Sequence, residues 1–237
     1  MKPSLMLTTL VAILFAAAIA QAGEGVTVMR LPDAGSRGPA ALDIAKVDCL
    51  LGNLNPPVSV VPGYFSGAEG YKYLIFPPDQ CACQVGFILE KVNMMLEFTA
   101  PATFEVITDL SEAIWDPAAE CWIPGPELCT SLVHVVDIPA PGTYVISVPI
   151  EFCECAWMPY HYFLGMHFLT LFEANLVIDA FPMPCVAYND KGAGWVDLFN
   201  WFIKSNGKVI IWGDVICCEQ AIGNEANTWG RVKGLYR

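Results

Sequence analysis

The stretch EFCECAWMPYHYFLGMHF, residues 151–168, sets Cys153 and Cys155 one residue apart and follows them with His161 and His167. Thiolates and imidazoles suit zinc, which takes four ligands at about 2.0–2.3 Å; in an oxidising compartment cysteines instead join one another. Spacing separates the two readings. On a strand the two histidines share a face, but six residues at about 3.3 Å each hold their backbones roughly 20 Å apart. On a helix, six steps of about 100° turn the second onto another side. Only a break at Gly165, such as a bulge, would bring both to one ion. The disulfide reading is therefore preferred, no metal is expected, and the three histidines are read as ordinary packed or half-exposed residues.

Ten cysteines, Cys49, Cys81, Cys83, Cys121, Cys129, Cys153, Cys155, Cys185, Cys217 and Cys218, form an even set of the kind that staples exported domains. On strands, Cys81 and Cys83 share a face, as do Cys153 and Cys155, so each member can reach a neighbouring strand or loop. Adjacent Cys217 and Cys218 point opposite ways and should bridge to two different places. Cys121 and Cys129 bracket the turn-rich WIPGPEL, and a local bridge between them is expected.

YNDKGAGWVDLFNW, residues 188–201, is the most site-like loop. Asn189 and Asp190 precede two glycines, and Trp195 and Asp197 follow. Oxygen donors on such a loop are what calcium takes, and an exposed Trp beside polar groups can stack on a sugar ring. These four residues are the candidate ligand-binding set. The plainer alternative is an Asx-type turn between strands, with Trp195 in the core. The loop lacks the spacing of an EF-hand, so residue type alone points to calcium and no cofactor is expected.

Catalytic signatures are sparse. GYFSG at 63–67 puts Ser66 one residue too late for a nucleophile elbow, and H-E-x-x-H, P-loop and dinucleotide fingerprints are absent. Glycoside hydrolysis needs two facing carboxylates, but Glu151 and Glu154 fall on opposite faces of a strand. No catalytic residue is assigned.

The elements that must position these groups read as β throughout. Short apolar runs alternate with Pro, Gly and Asp from about residue 45. QVGFILEKVNMMLEF alternates with one phase break near Glu90-Lys91, which a bulge would restore. ATFEVITDL is a strand with Phe104, Val106 and Leu110 opposing Glu105, Ile107 and Asp109, while DLSEAIWDPAAECW offers a single helical turn capped by Asp or Ser. SLVHVVDI and GTYVISVPIEF are strands joined by PAPG, and the run 160–172 is read as strand. WFIKSNGKVIIW is expected to form a hairpin turning at Asn206-Gly207.

Over 237 residues the chain carries 12 basic and 24 acidic side chains, a net charge of −12. Such a surface repels nucleic acid and anionic lipid, since phosphate binding needs Lys or Arg. Cations, neutral sugars and proteins remain. Lys2, the apolar stretch Leu5 to Ile19 and the small-x-small Ala20-Gln21-Ala22 read as a signal peptide, too short for a spanning helix. The expected organisation is a signal peptide at 1–22, an extended lead-in at 23–44, a β-sandwich at 45–222 and a tail at 223–237. The mature chain should lack a transmembrane segment.

VDIPAPGTYVISVPI, a strand, a Pro-Gly turn and a G-x-Y entry into another strand, resembles the jelly-roll or carbohydrate-binding-like β-sandwich domains of secreted bacterial proteins. The order of PPDQCACQVGF, CECAWMPYHYFL and YNDKGAGWVDL is similar to that in uncharacterised exported bacterial proteins. The resemblance implies a β-sandwich and no particular activity. The ending NTWGRVKGLYR resembles short tails on such proteins, read either as a sorting signal or as a basic terminus. No aromatic trio on one face is evident in the sequence. The expectation is an all-β, disulfide-stapled sandwich of jelly-roll type, secreted and extracellular or at the cell surface. Its expected role is non-catalytic binding or structure, with a glycan or extracellular protein as partner; high apolar content also fits self-association. The alternative is a carbohydrate-active enzyme of glycoside hydrolase type on the same scaffold.

Overall fold

A computed structural model describes residues 25–31, 48–66, 69–201 and 207–218. The expected signal peptide, most of the lead-in and the whole tail lie outside the described residues.

Strands fill two sheets. The first holds β1 (Thr27–Arg30), β2 (Cys49–Gly52), β3 (Ser59–Ser66), β5 (Gly86–Phe98), β9 (Gly142–Pro149), β10 (Ala156–Trp157), β12 (Leu171–Ile178) and β15 (Ile211–Cys217). The second holds β4 (Glu69–Ile75), β6 (Ala102–Asp116), β7 (Cys121–Thr130), β8 (His134–Ile138), β11 (Tyr162–Phe168), β13 (Ala187–Asp190) and β14 (Val196–Asp197). Within them, β9-β5-β12-β3 face β4-β11-β6-β8, with the chain crossing between sheets at β3/β4, β4/β5, β5/β6, β8/β9, β11/β12 and on the way from β9 to β11. That wiring, with β3 beside the late strand β12, is the double Greek key of a jelly roll. The expected all-β, disulfide-stapled sandwich is thus the fold observed.

Side-chain alternation builds the core. On β11, Tyr162, Leu164, Met166 and Phe168 point inward, opposite Leu110 and Val106 of β6. Between the sheets Phe65, Phe98, Phe104, Phe168 and Phe172 pack ring to ring, with Phe104 and Phe172 stacked at 4.1 Å. Offset and edge contacts of this kind stabilise beyond area burial alone.

Several expectations meet the structure directly. The phase break at Glu90 is a bulge: Asp214 of β15 pairs with Lys91 and Val215 with Leu89, leaving Glu90 the extra residue. The run 160–172 is strand, divided into β11 and β12. The helical turn in 109–122 is not there, because β6 continues as strand to Asp116 and pairs with β7 up to Cys121. Ordered structure also starts earlier than residue 45, since β1 pairs antiparallel with β9. Of the hairpin, residues 202–206 lie outside the described residues. On its far side Val209 bridges Ile178 and β15 begins only at Ile211.

All ten cysteines are bonded: Cys49–Cys81, Cys83–Cys217, Cys121–Cys185, Cys129–Cys153 and Cys155–Cys218. Cys217 and Cys218 do reach two different places. The local bridge between Cys121 and Cys129 is wrong, for a physical reason. WIPGPEL is not a turn but the body of β7, which ends the path of its sheet, and an edge strand tolerates Pro124 and Pro126. Eight residues of extended chain at about 3.3 Å hold those two cysteines far too far apart to bond.

Candidate functional site: an aromatic cleft and a polar network on one sheet

The opening stretch becomes a wall. Residues 150–161 carry the chain from β9 in the first sheet to β11 in the second. Cys153 is tied to Cys129 on β7, and Cys155 to Cys218 just after β15, so neighbouring cysteines fasten one segment to both sheets. Directly after the second staple, β10 pairs with Gly86 and Phe87 of β5. Gly86 permits that approach: a Cβ there would lie 2.5 Å from the Ala156 carbonyl oxygen and 2.6 Å from Cys155 Sγ. The Tyr162 hydroxyl donates to the Trp157 carbonyl at 2.9 Å.

This wall and the β6–β7 pair enclose an open cleft of about 640 Å³. Trp122, Trp157, Tyr160, His161 and Tyr162 line it, with Glu112 and Glu154 as its carboxylates. Trp157 and Tyr160 are each 61% exposed. Behind them stands a ring stack: His161 lies 4.4 Å from Phe76 on one side and 4.4 Å from Trp122 on the other, both nearly parallel. Trp115 meets Trp122 edge-on at 5.4 Å. Burial pushes the His161 pKa below its ordinary 6.5, with Asp79 opposing, so at neutral pH the ring is an uncharged plate. Sequence reading missed this aromatic set although Trp157, Tyr160, His161 and Tyr162 lie in the opening stretch, because their exposure and their meeting with Trp122 and Phe76 arise only in the fold.

Toward the other end of the same outer face lies a polar network. Lys72 on β4 and Asp109 on β6 flank Gly165 on β11, one row across three strands. Lys72 Nζ lies 2.7 Å from Asp109 Oδ2, and both side chains are almost wholly buried. Gly165 makes the contact feasible, since a Cβ there would fall 1.7 Å from Asp109 Oδ1. It is not a bulge; β11 pairs without a register shift on both sides. The Ser111 hydroxyl donates to Asp109 Oδ2 and accepts from Lys72 Nζ, and His167 Nε2 lies 2.7 Å from Asp109 Oδ1. Burial alone would raise the Asp109 pKa, but the His167 hydrogen bond and the Lys72 charge outweigh it and hold the carboxyl below its ordinary value.

The four loop residues singled out from sequence do not converge on one site. Asn189 is buried and donates to Glu69 Oε1 at 3.0 Å and to the Gly70 carbonyl at 2.9 Å. Asp190 Oδ1 accepts from the Gly192 and Gly194 amides, forming the Asx-type turn that was the plainer reading. Asp197 accepts from the Cys185 amide at 3.0 Å and from Phe199 at 3.1 Å, capping the short helix α1 (Leu198–Trp201). Trp195 is neither in the inter-sheet core nor free for stacking on a ligand with its whole face. It covers the network, 4.9 Å from Lys72 Nζ and edge-on to His167 at 5.7 Å. A zinc set from residues 151–168 is likewise not assembled, because both cysteines are bridged and the two histidines stand at opposite ends of the β11 face.

Among the described residues no helix is long and apolar enough to cross a membrane. No curated protein and no solved structure matches the chain. Residues 48–215, from the first staple to the last long strand, match the family described as a domain of unknown function, DUF7451, and the chain belongs to that family.

Proposed function

We propose that this protein is a secreted, non-catalytic binding module whose ligand is a neutral glycan held in the aromatic cleft. The observation that carries the reading is the pair of exposed rings, Trp157 and Tyr160, on a wall fixed to both sheets. Aromatic faces are suited to the C–H faces of sugar rings, and a surface already fixed by covalent staples loses little entropy on binding. The net charge of −12 disfavours polyanionic glycans, leaving uncharged ones. Five disulfides support the secreted reading, because such bridges persist in oxidising surroundings.

A second reading has its own support, because Glu112 and Glu154 line the same cleft. Such a carboxylate pair is what glycoside hydrolysis uses. One experiment addresses both. Calorimetric titration against a panel of neutral oligosaccharides should give binding that falls tenfold or more in Trp157→Ala and in Tyr160→Ala, the size expected of exposed anchor residues. Circular dichroism of both variants should match wild type. Absence of binding across the panel, or binding indifferent to both changes, would overturn the proposal. Hydrolysis of a bound oligosaccharide that disappears in Glu112→Gln or Glu154→Gln would replace it with the enzymatic reading.

A further inference from the structure

We infer that Asp109, Glu127 and His167 form a binding site for a divalent first-row transition ion, independent of the cleft. Their donor atoms, one from each side chain, lie within 4.8 Å of one another, and they come from three adjacent strands, β7, β6 and β11. An ion bound at about 2.0–2.2 Å draws such atoms to about 3 Å apart, a movement within side-chain reach.

The surroundings prepare each donor for that role. Asp109 has one oxygen committed: Lys72 and Ser111 hold Oδ2, which turns Oδ1 toward His167 Nε2. A carboxylate ligand with its outer oxygen anchored by hydrogen bonds is the usual way a protein fixes such a group. His167 stands between Asp109 and the edge of Trp195, which limits its rotation. Glu127 reaches this face through an irregularity. Asp109 pairs with Thr130 and Leu110 with Cys129, but Ser111 pairs with Glu127, so Leu128 is an extra residue. In a regular register Leu128 would stand opposite Ser111 and bring its apolar side chain to the Asp109 face. The bulge substitutes a carboxylate, and bulges commonly re-aim a side chain in this way.

Charge and donor type narrow the ion. Two carboxylates less one ammonium leave one net negative charge, which a divalent cation more than offsets. An imidazole with two carboxylates suits zinc and its neighbours, whereas calcium takes oxygen alone. On binding, Nε2 must be the unprotonated nitrogen and Nδ1 carries the ring hydrogen. The ion thereby replaces the His167–Asp109 hydrogen bond, and water completes its coordination.

The test is calorimetric titration of the full chain, disulfides intact, with zinc and separately with calcium. Zinc should bind one ion per chain, with affinity at least tenfold weaker in His167→Gln and in Glu127→Gln, while calcium gives no saturable heat. Glu127 is exposed, so its variant keeps the fold even where a change at His167 does not. No zinc binding, or binding unchanged in Glu127→Gln, would overturn the inference. Glycan affinity of the same variants should remain at wild-type level, so failure here is distinguishable from failure of the cleft reading.

Discussion

Lys72→Ala should lower unfolding free energy by about 3–5 kcal/mol, the cost of leaving a buried carboxylate without its partner. Asp109 is fully buried, and its compensation comes from Lys72, Ser111 and His167 alone among the described contacts. Removing the ammonium deletes the only permanent positive charge among them. The double variant Lys72→Met with Asp109→Leu should recover much of the loss, since a buried ion pair replaced by apolar groups of similar volume is often neutral or stabilising. Urea unfolding of wild type, single and double variants measures both effects. A single variant within about 1 kcal/mol of wild type would show that water reaches the network.

The same carboxyl sets an acid limit. Its folded pKa lies below the ordinary 3.8, so its contribution is fully present above that value. It is lost as pH falls from there through the depressed folded value. Wild type should therefore lose stability more steeply on acidification below about pH 4 than the Lys72→Met, Asp109→Leu variant, which cannot titrate there. Parallel unfolding curves across that range would contradict the assignment.

Removing the Cys155–Cys218 bridge, by changing both residues to alanine, should cost about 4 kcal/mol. The bridge closes a span of 63 residues, and the loop-entropy relation gives that magnitude. It should also cost function beyond stability. Without it the wall keeps its tie to β7 through Cys129–Cys153 but loses its disulfide to the first sheet, leaving there its chain connection from β9, the two residue pairs between β10 and β5 and the backbone hydrogen bonds of Ile150 to Glu90 and Met158 to Val85. Oligosaccharide affinity should drop tenfold or more at temperatures where the variant remains folded. Cys49→Ala with Cys81→Ala, whose bridge lies away from the cleft lining, should destabilise without that loss. Equal affinity in both variants would show that the wall is not held by its staple.

How much of this was legible in the letters follows from range. Strand alternation and the bulge at Glu90 are local, and the apolar period carried them. That Cys217 and Cys218 part company is also local, because neighbouring side chains on a strand must diverge. Partner choice among cysteines is not. Cys121 finds Cys185 and Cys129 finds Cys153 because β7 keeps its extended course despite two prolines, a consequence of its edge position. The Lys72–Asp109 contact needed three strands aligned and a glycine in the middle one; in the sequence Gly165 carried only the suggestion of a bulge. The loop at 188–197 drew attention through residue types that serve equally as turn formers, and there the turn chemistry prevailed. The cleft was hidden for a different reason: exposure of Trp157 and Tyr160 is a property of how segment 150–161 is tethered, and no periodicity encodes it.

Peptide mapping of the unreduced protein by mass spectrometry asks most directly whether that segment is fastened to both sheets. Proteolysis should release Cys153 joined to Cys129 and Cys155 joined to Cys218. Either cysteine found as a free thiol, or both bonded to partners in the same sheet, would leave the cleft without its fixed wall.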